Sequence, residues 1–425
     1  MRREAVDDVS LNRPLRICLL TYRGNPTCGG QGVYIKYLSR ALKELGHEVD
    51  VLSGPPYPQL PDGVPLFRLP GLDLYNPDHL FKVEKLRDLA SPLNQFEFIS
   101  MCTGGFPEPF TFGVRASRHL RMLRKRYDVV HDNQSLSYGL LDMVRSGYPT
   151  VATIHHPITV DRNTEIEAAQ GRLKRMMVRR WYNFLSMQKR VSRRLSHIVT
   201  VSKCAQKDIA NDFAIPEERF RIVPNGINTD FFYPLKDVRR ADDQLLVTNS
   251  ADTPLKGLRY LLEAVDSIRK ERRIKLVVIG EPKENGEINK IIRKLGLDGI
   301  VKFTGRIRNE EFAGYYARTT IAVIPSLYEG FGMPAGEAMA CGVPVISTAG
   351  GGLPEVVGDA GIIVPTADAM ALRAAIVALL DDPGKRGCLA QAGFERVKNS
   401  LTWRHAAEKI VDVYRETIHA HGRLQ

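Results

Sequence analysis

Six cysteines are spread along 425 residues, at positions 18, 28, 102, 204, 341 and 388, and no two form a C-x-x-C pair. That spacing excludes the common zinc-finger ligand sets and a dense disulfide framework, and it fits reduced thiols in the cytoplasm. No apolar run approaches the ~20 residues that cross a bilayer, and Met1 to Ser10 lacks the apolar stretch of a secretory signal. The expectation is a cytoplasmic protein, not exported and without a spanning helix. No D-x-D triplet occurs, so the usual sequence sign of a divalent ion bridging a substrate diphosphate is missing. The expectation is a site that works without a metal or other cofactor.

What is present has ordinary globular proportions. Hydrophobic residues make up 44% and charged residues 25%, unlike disordered or fibrous chains. A single core tends to divide beyond roughly 250 to 300 residues, so this length predicts two domains. The formal charge of +12 favours phosphorylated ligands, polyanions or an anionic membrane face without choosing among them.

Short β-branched runs alternate with stretches of helical period, the pattern of parallel strands wrapped by helices. In the first half the pattern predicts strands at Arg16 to Thr21, Glu48 to Ser53, Asp128 to His131, Thr150 to His155 and His197 to Ser202, with a helix from about Val33 to Leu45. After Val223 the texture becomes polar until about Gln244, which reads as an interdomain linker. A second series follows, with strands at Leu245 to Thr248, Lys275 to Ile279, Ile300 to Phe303, Ile321 to Pro325, Val343 to Ser347 and Gly361 to Val364. The reading divides the chain into a domain at 1–223, a linker at 224–244, a second domain at 245–402 and a C-terminal helix at 403–425 packing back towards the first domain.

Two segments carry chemistry. Gly24, Gly29, Gly30 and Gly32 follow the first strand, a loop that could aim backbone N–H groups at a phosphate. It is not a dinucleotide fingerprint, because Ile35 holds the place of the third glycine, nor a Walker loop, because Gly30 holds the lysine position. A plain glycine turn explains it equally well. The second segment, Pro325 to Glu337, puts Glu329 in a loop at a strand's C-terminal end and Glu337 in the first turn of a helix opened by Pro334. In an open α/β sheet that strand end borders the ligand crevice, and a helix N-terminus favours a bound diphosphate. Glu329 would then reach sugar hydroxyls and Glu337 ribose hydroxyls.

This segment resembles the E-x(7)-E motif of family 4 retaining glycosyltransferases. Ala338 to Ile346, Ile222 to Ile227, the Gly29–Gly30 loop and Ala349 to Glu355 are similar to the same family, over about Arg16 to Tyr414. The resemblance implies the GT-B fold: α/β, two Rossmann-like doubly wound parallel-sheet domains facing a cleft, the first binding acceptor and the second a nucleotide sugar. It implies retaining transfer of a hexosyl unit to a hydroxyl acceptor, lipid or glycan, with the donor's own phosphate oxygen taking the acceptor proton. Glu329 and His155 would orient sugar and acceptor. Gly29, Gly30, Asn225, Ser250, Lys256, Gly305, Arg306, Gly330, Phe331, Gly332 and Glu337 would hold the donor. Two positions depart from the pattern: Ser250 stands where many relatives carry an arginine for the diphosphate, and Asn228 where aspartate is frequent.

A rival reading is a non-catalytic protein of this fold that binds a nucleotide sugar or a polyanion; the intact carboxylate pair weighs against it. Nucleic-acid binding lacks a recognisable reading module. The basic segment from Arg172 to Arg194 contains nine cations and no acidic residue, interleaved with Trp181, Tyr182, Phe184 and Leu185. It reads either as an amphipathic helix on an anionic membrane, on the inner face as a peripheral protein, or as a helix whose aromatics pack inward beneath solvated charges.

Overall fold

A computed structural model of the chain describes residues 13–25, 30–76, 83, 86–123, 127–248 and 253–422. It divides into two compact units, one of Met1–Thr200, Gln206–Val223 and Ala406–Gln425, the other of Val201–Ala205 and Pro224–His405.

Among the described residues the first unit holds seven strands: β1 (Arg16–Thr21), β2 (Glu48–Ser53), β3 (Leu66–Arg68), β4 (Val129–Asn133), β5 (Thr150–Thr153), β6 (Ile198–Thr200) and β7 (Phe220–Ile222). They run parallel in the order β3-β2-β1-β4-β5-β6-β7. All of β4 and β5 is buried because helices cover both sheet faces, although β4 ends in His131, Asp132 and Asn133 and β5 in Thr153. The second unit holds β8 (Gln244–Thr248), β9 (Lys275–Ile279), β10 (Val301–Phe303), β11 (Ile321–Ile324), β12 (Val345–Thr348) and β13 (Ile362–Val364), parallel in the order β10-β9-β8-β11-β12-β13. Its core sets Leu245, Val247, Ile321 and Val323 against Leu261, Leu262 and Val265 of one helix and Leu372, Ile376 and Leu379 of another. Two Rossmann-like doubly wound sheets therefore form the protein, as the sequence pattern predicts.

Several local expectations need correction. The first helix spans Gly30–Glu44, so Gly30 and Gly32 sit in its opening turn and not in the preceding loop. A Cβ at Gly32 would lie 2.3 Å from the Asn25 carbonyl oxygen, so packing alone accounts for that glycine. Strands β5 and β6 stop short of His155 and Ser202, and β3 and β7 escape the sequence pattern because three residues are too few to show a period.

The basic segment is not one helix. It breaks into a helix at Arg172–Trp181, a tight turn at Tyr182–Phe184 and a helix at Leu185–Ser192. Trp181 stacks on Phe106 with ring centroids 5.2 Å apart, and the buried Tyr182 donates its hydroxyl to Glu165 at 2.9 Å. Leu185 and Val191 are buried, and Lys189 pairs with Asp212 at 2.7 Å. The aromatics do pack inward, but the first of the two helices buries none of its residues.

The C-terminal helix, Trp403–Gly422, places Tyr414 in the interior of the first unit. Its hydroxyl meets His131 Nδ1 at 2.6 Å, and His131 Nε2 meets Thr153 Oγ1 at 2.7 Å. Tyr34 completes the chain, its hydroxyl 3.1 Å from the same Thr153 oxygen. Burial pushes the His131 imidazole down to about 3, so it stays neutral and uses both ring nitrogens for these bonds. Replacing Tyr414 by Phe orphans the Nδ1 side of a buried ring, and the expected loss is about 1–3 kcal/mol of unfolding free energy. Urea denaturation measures it; an unchanged midpoint would mean apolar contacts alone seat this helix.

Candidate active site

The second sheet winds outward in both directions from between β8 and β11. A crevice opens at such a reversal, beyond the strands' C-terminal ends. After β8 the chain makes a tight turn at Pro254–Lys256, and after β11 it enters the loop that carries Glu329. The loops are tied by the Leu327 N–H, which donates to the Leu255 carbonyl at 2.7 Å. Gly257 permits the approach: its φ is 65°, and a Cβ there would lie 1.9 Å from the Pro325 carbonyl oxygen.

The result is an ion pair. Lys256 Nζ lies 2.7 Å from Glu329 Oε1, and Ser326 Oγ donates to the same oxygen at 2.8 Å. Glu329 is 14% exposed and Lys256 30%, so the pair is shielded without being sealed. The Glu329 backbone is fixed from behind by the Gly352 N–H, which donates to its carbonyl at 2.8 Å. Gly351, with φ 65°, allows that contact, since a Cβ would lie 2.1 Å from the same oxygen.

Gly330 and Phe331 lead into the helix Met333–Ala340, capped by Gly332. The Gly330 carbonyl accepts from Ser202 Oγ at 2.7 Å, and Phe331 is buried. Glu337 is half-buried past the first turn of this helix, not within it as expected, because the helix already begins at Met333; burial pushes its carboxyl up to about 7 against the pull of the Lys256 ammonium. The charge of Glu337 in turn helps hold the buried Tyr316 phenol protonated. Lys256, Glu329 and Glu337 thus share one electrostatic neighbourhood at the sheet's reversal.

Asn225, Gly305 and Arg306, also expected on the donor, belong to the same unit. Asn225 lies two residues before Ile227, whose Cδ1 would be 2.5 Å from a Cβ at Gly336, beside the Glu337 helix. Its buried Oδ1 has no hydrogen-bond partner among the described residues. Gly305 follows β10 and donates its N–H to the Gly280 carbonyl at 3.2 Å, and Arg306 next to it is exposed. Gly29 and Ser250 lie outside the described residues.

His155 and Gly30 belong to the first unit. There the reversal falls between β1 and β4, and His155 follows the neighbouring β5. Its ring Nε2 faces Asn133 Oδ1 at 2.7 Å, while Asn133 Nδ2 donates to the Gln31 carbonyl at 3.3 Å. That orientation of the amide makes Nε2 the protonated nitrogen and leaves a lone pair on Nδ1. The His155 N–H goes to Gln134 Oε1 at 2.8 Å, and the ring stands edge-on to Tyr34 at 4.7 Å. Burial pushes the imidazole down to about 3, with His156 adding to the shift, so His155 is a neutral hydrogen-bonding group. Asn133 and Gln134 escaped the sequence reading, as did Ser326. The signal available for the first two was their position at the end of β4, the strand bordering the reversal.

The family now follows from both sequence and fold. The Glycosyltransferase Family 4 description matches residues 28–231, and that of Glycosyl transferases group 1 matches residues 243–382. The chain belongs to the family 4 glycosyltransferases, with the GT-B fold, and it acts as a glycosyltransferase. It is 43% identical to the MMP alpha-(1->4)-mannosyltransferase of Mycolicibacterium hassiacum, over 95% of this chain and 98% of that one. It is also similar to the D-inositol 3-phosphate glycosyltransferase of Thermobispora bispora, 28% identical over 93% of this chain and 91% of the relative. Among solved structures, sucrose-phosphate synthase from Thermosynechococcus elongatus superposes with a TM-score of 0.72 at 25% identity, covering 95% of this chain and 99% of the other.

A carboxyl raised to about 7 is a weak hydrogen-bond acceptor below that pH and a strong one above it. A nucleoside diphosphate held through Glu337, as the sequence reading expects, would bind more strongly as pH rises through about 7, by up to about tenfold per unit below it. Glu337→Gln removes this share of the slope and weakens binding. Calorimetric titration of both proteins across the range tests it, and parallel slopes would take Glu337 off the ligand.

Proposed function

We propose that this glycosyltransferase moves a hexosyl unit, specifically mannosyl, from a nucleotide diphosphate sugar to a hydroxyl acceptor with retention of anomeric configuration. The carrying observation is the Lys256–Glu329 pair, 2.7 Å apart, at the reversal of the second sheet and beside Glu337. The lysine is paired with a carboxylate where a diphosphate would bring its own negative charge. When a donor arrives, its diphosphate takes the ammonium and Glu329 turns its oxygens to the sugar hydroxyls. The mannosyl choice follows the name of the 43% identical relative, and the broad family resemblance supports retention.

In the transfer, the bond from the sugar's anomeric carbon to the diphosphate oxygen breaks, and the acceptor oxygen bonds to that carbon on the same face. The acceptor proton passes to the departing phosphate oxygen, so no side-chain nucleophile is needed. Charge on the leaving group is met by Lys256 and by N–H groups at the start of the Met333–Ala340 helix. The neutral His155 orients a hydroxyl through hydrogen bonding and carries no proton through the step. The reading includes operation without a divalent ion.

A panel of nucleotide sugars, assayed for transfer and slow hydrolysis with and without chelator, tests the donor and metal claims together. Turnover is expected to be greatest with a mannosyl donor and unaffected by chelator; dependence on added divalent ion would overturn the metal-free claim. Glu329→Gln keeps the size of the side chain but loses the charge paired to Lys256, and kcat is expected to fall about a hundredfold or more. Proton NMR of the first product formed checks retention: an inverted anomeric signal would refute it.

A further inference from the structure

The helix Arg172–Trp181 presents an unusual face. Leu173, Met176 and Met177 fall on one side at spacings of three and four residues, and they are 68%, 59% and 54% exposed. An amphipathic helix on a soluble fold normally turns its apolar stripe inward; here every residue of the helix except Val178 and Trp181 is exposed. Arg172, Lys174, Arg175, Arg179 and Arg180 surround the stripe, and no acidic residue occurs within the helix.

A second stripe lies on the helix Pro92–Cys102 of the same unit. Phe96 and Ile99 are exposed there at 48% and 62%, while its one acid, Glu97, is buried against Arg115 at 2.6 Å. The two helices meet at their C-terminal ends, where Arg180 donates to Thr103 Oγ1 at 3.2 Å. Five of the nine large apolar side chains exposed among the described residues stand on these two helices.

We propose that this face is an interfacial docking surface for an anionic phospholipid bilayer. Apolar side chains would enter the headgroup boundary while the cations around them meet lipid phosphates. Charge argues against a second copy of the chain, since the face would meet its own five cations. A nucleic acid would use the cations but leave Leu173, Met176 and Met177 in water, with no exposed aromatic on that helix to stack on bases. No helix among the described residues is long and apolar enough to cross a membrane, so the contact would lie in the interface plane. The sequence had suggested Arg172 to Arg194 as a whole; the structure narrows the cationic part to Arg172–Trp181, because the following helix is buried along Leu185, Met187 and Val191.

Sedimentation of the full chain with vesicles tests this. Vesicles of equal parts phosphatidylglycerol and phosphatidylcholine are expected to capture the protein, and phosphatidylcholine alone to capture little. Changing Leu173, Met176 and Met177 together to Ser is expected to lower partitioning about tenfold or more, and changing Lys174 and Arg179 to Gln about fivefold per cation. All five side chains are exposed, so melting temperatures and turnover on a soluble acceptor should match the parent. Equal capture by both vesicle types, wild-type partitioning of the Ser variant, or displacement of vesicle-bound protein by a single-stranded oligonucleotide at matched charge would each overturn the proposal.

Discussion

A parallel sheet wound outward from its middle in two directions leaves one place where the chain reverses, and the loops that carry Lys256 and Glu329 leave the sheet at that place. The strand order puts β8 beside β11, so the lysine after one and the carboxylate after the other, 73 residues apart in sequence, become neighbours. Neither residue reaches the other by local geometry. They meet because right-handed crossovers send the intervening helices to the flanks and return the chain to the centre.

The pair so formed is a poised electrostatic arrangement. A partly buried ammonium needs a counter-charge, and Glu329, held by Ser326 and by the close glycine backbone behind it, supplies one. In the proposed reading a donor diphosphate competes for the same ammonium with more charge. Glu337 is held differently: burial opposes its ionisation, so the carboxyl titrates near neutrality.

In the first unit the interior is polar by design of its hydrogen bonds. Tyr414, His131, Thr153 and Tyr34 form one buried chain, and Asn133 and Gln134 hold His155 from both backbone and ring. A neutral, fixed imidazole offers direction instead of charge, which suits a hydroxyl better than a phosphate.

Much of this was legible in the residues. The alternation of short β-branched runs with helical stretches determined two α/β units, and the spacing of Glu329 and Glu337 around Pro334 determined a loop carboxylate followed by a helix-borne one. Three-residue strands were not legible, because a period needs length to appear, nor was the break in the basic segment at Tyr182, whose hydroxyl is claimed by distant Glu165. Ser326, Asn133 and Gln134 looked like ordinary polar residues until the fold gave them partners. Composition, period and motif spacing are properties of neighbouring residues, so the chain alone decided them. Which side of the Arg172–Trp181 helix faces water, which glycines touch a carbonyl, and where Glu337 ionises depend on contacts between segments far apart in sequence, and only the packed structure decided those.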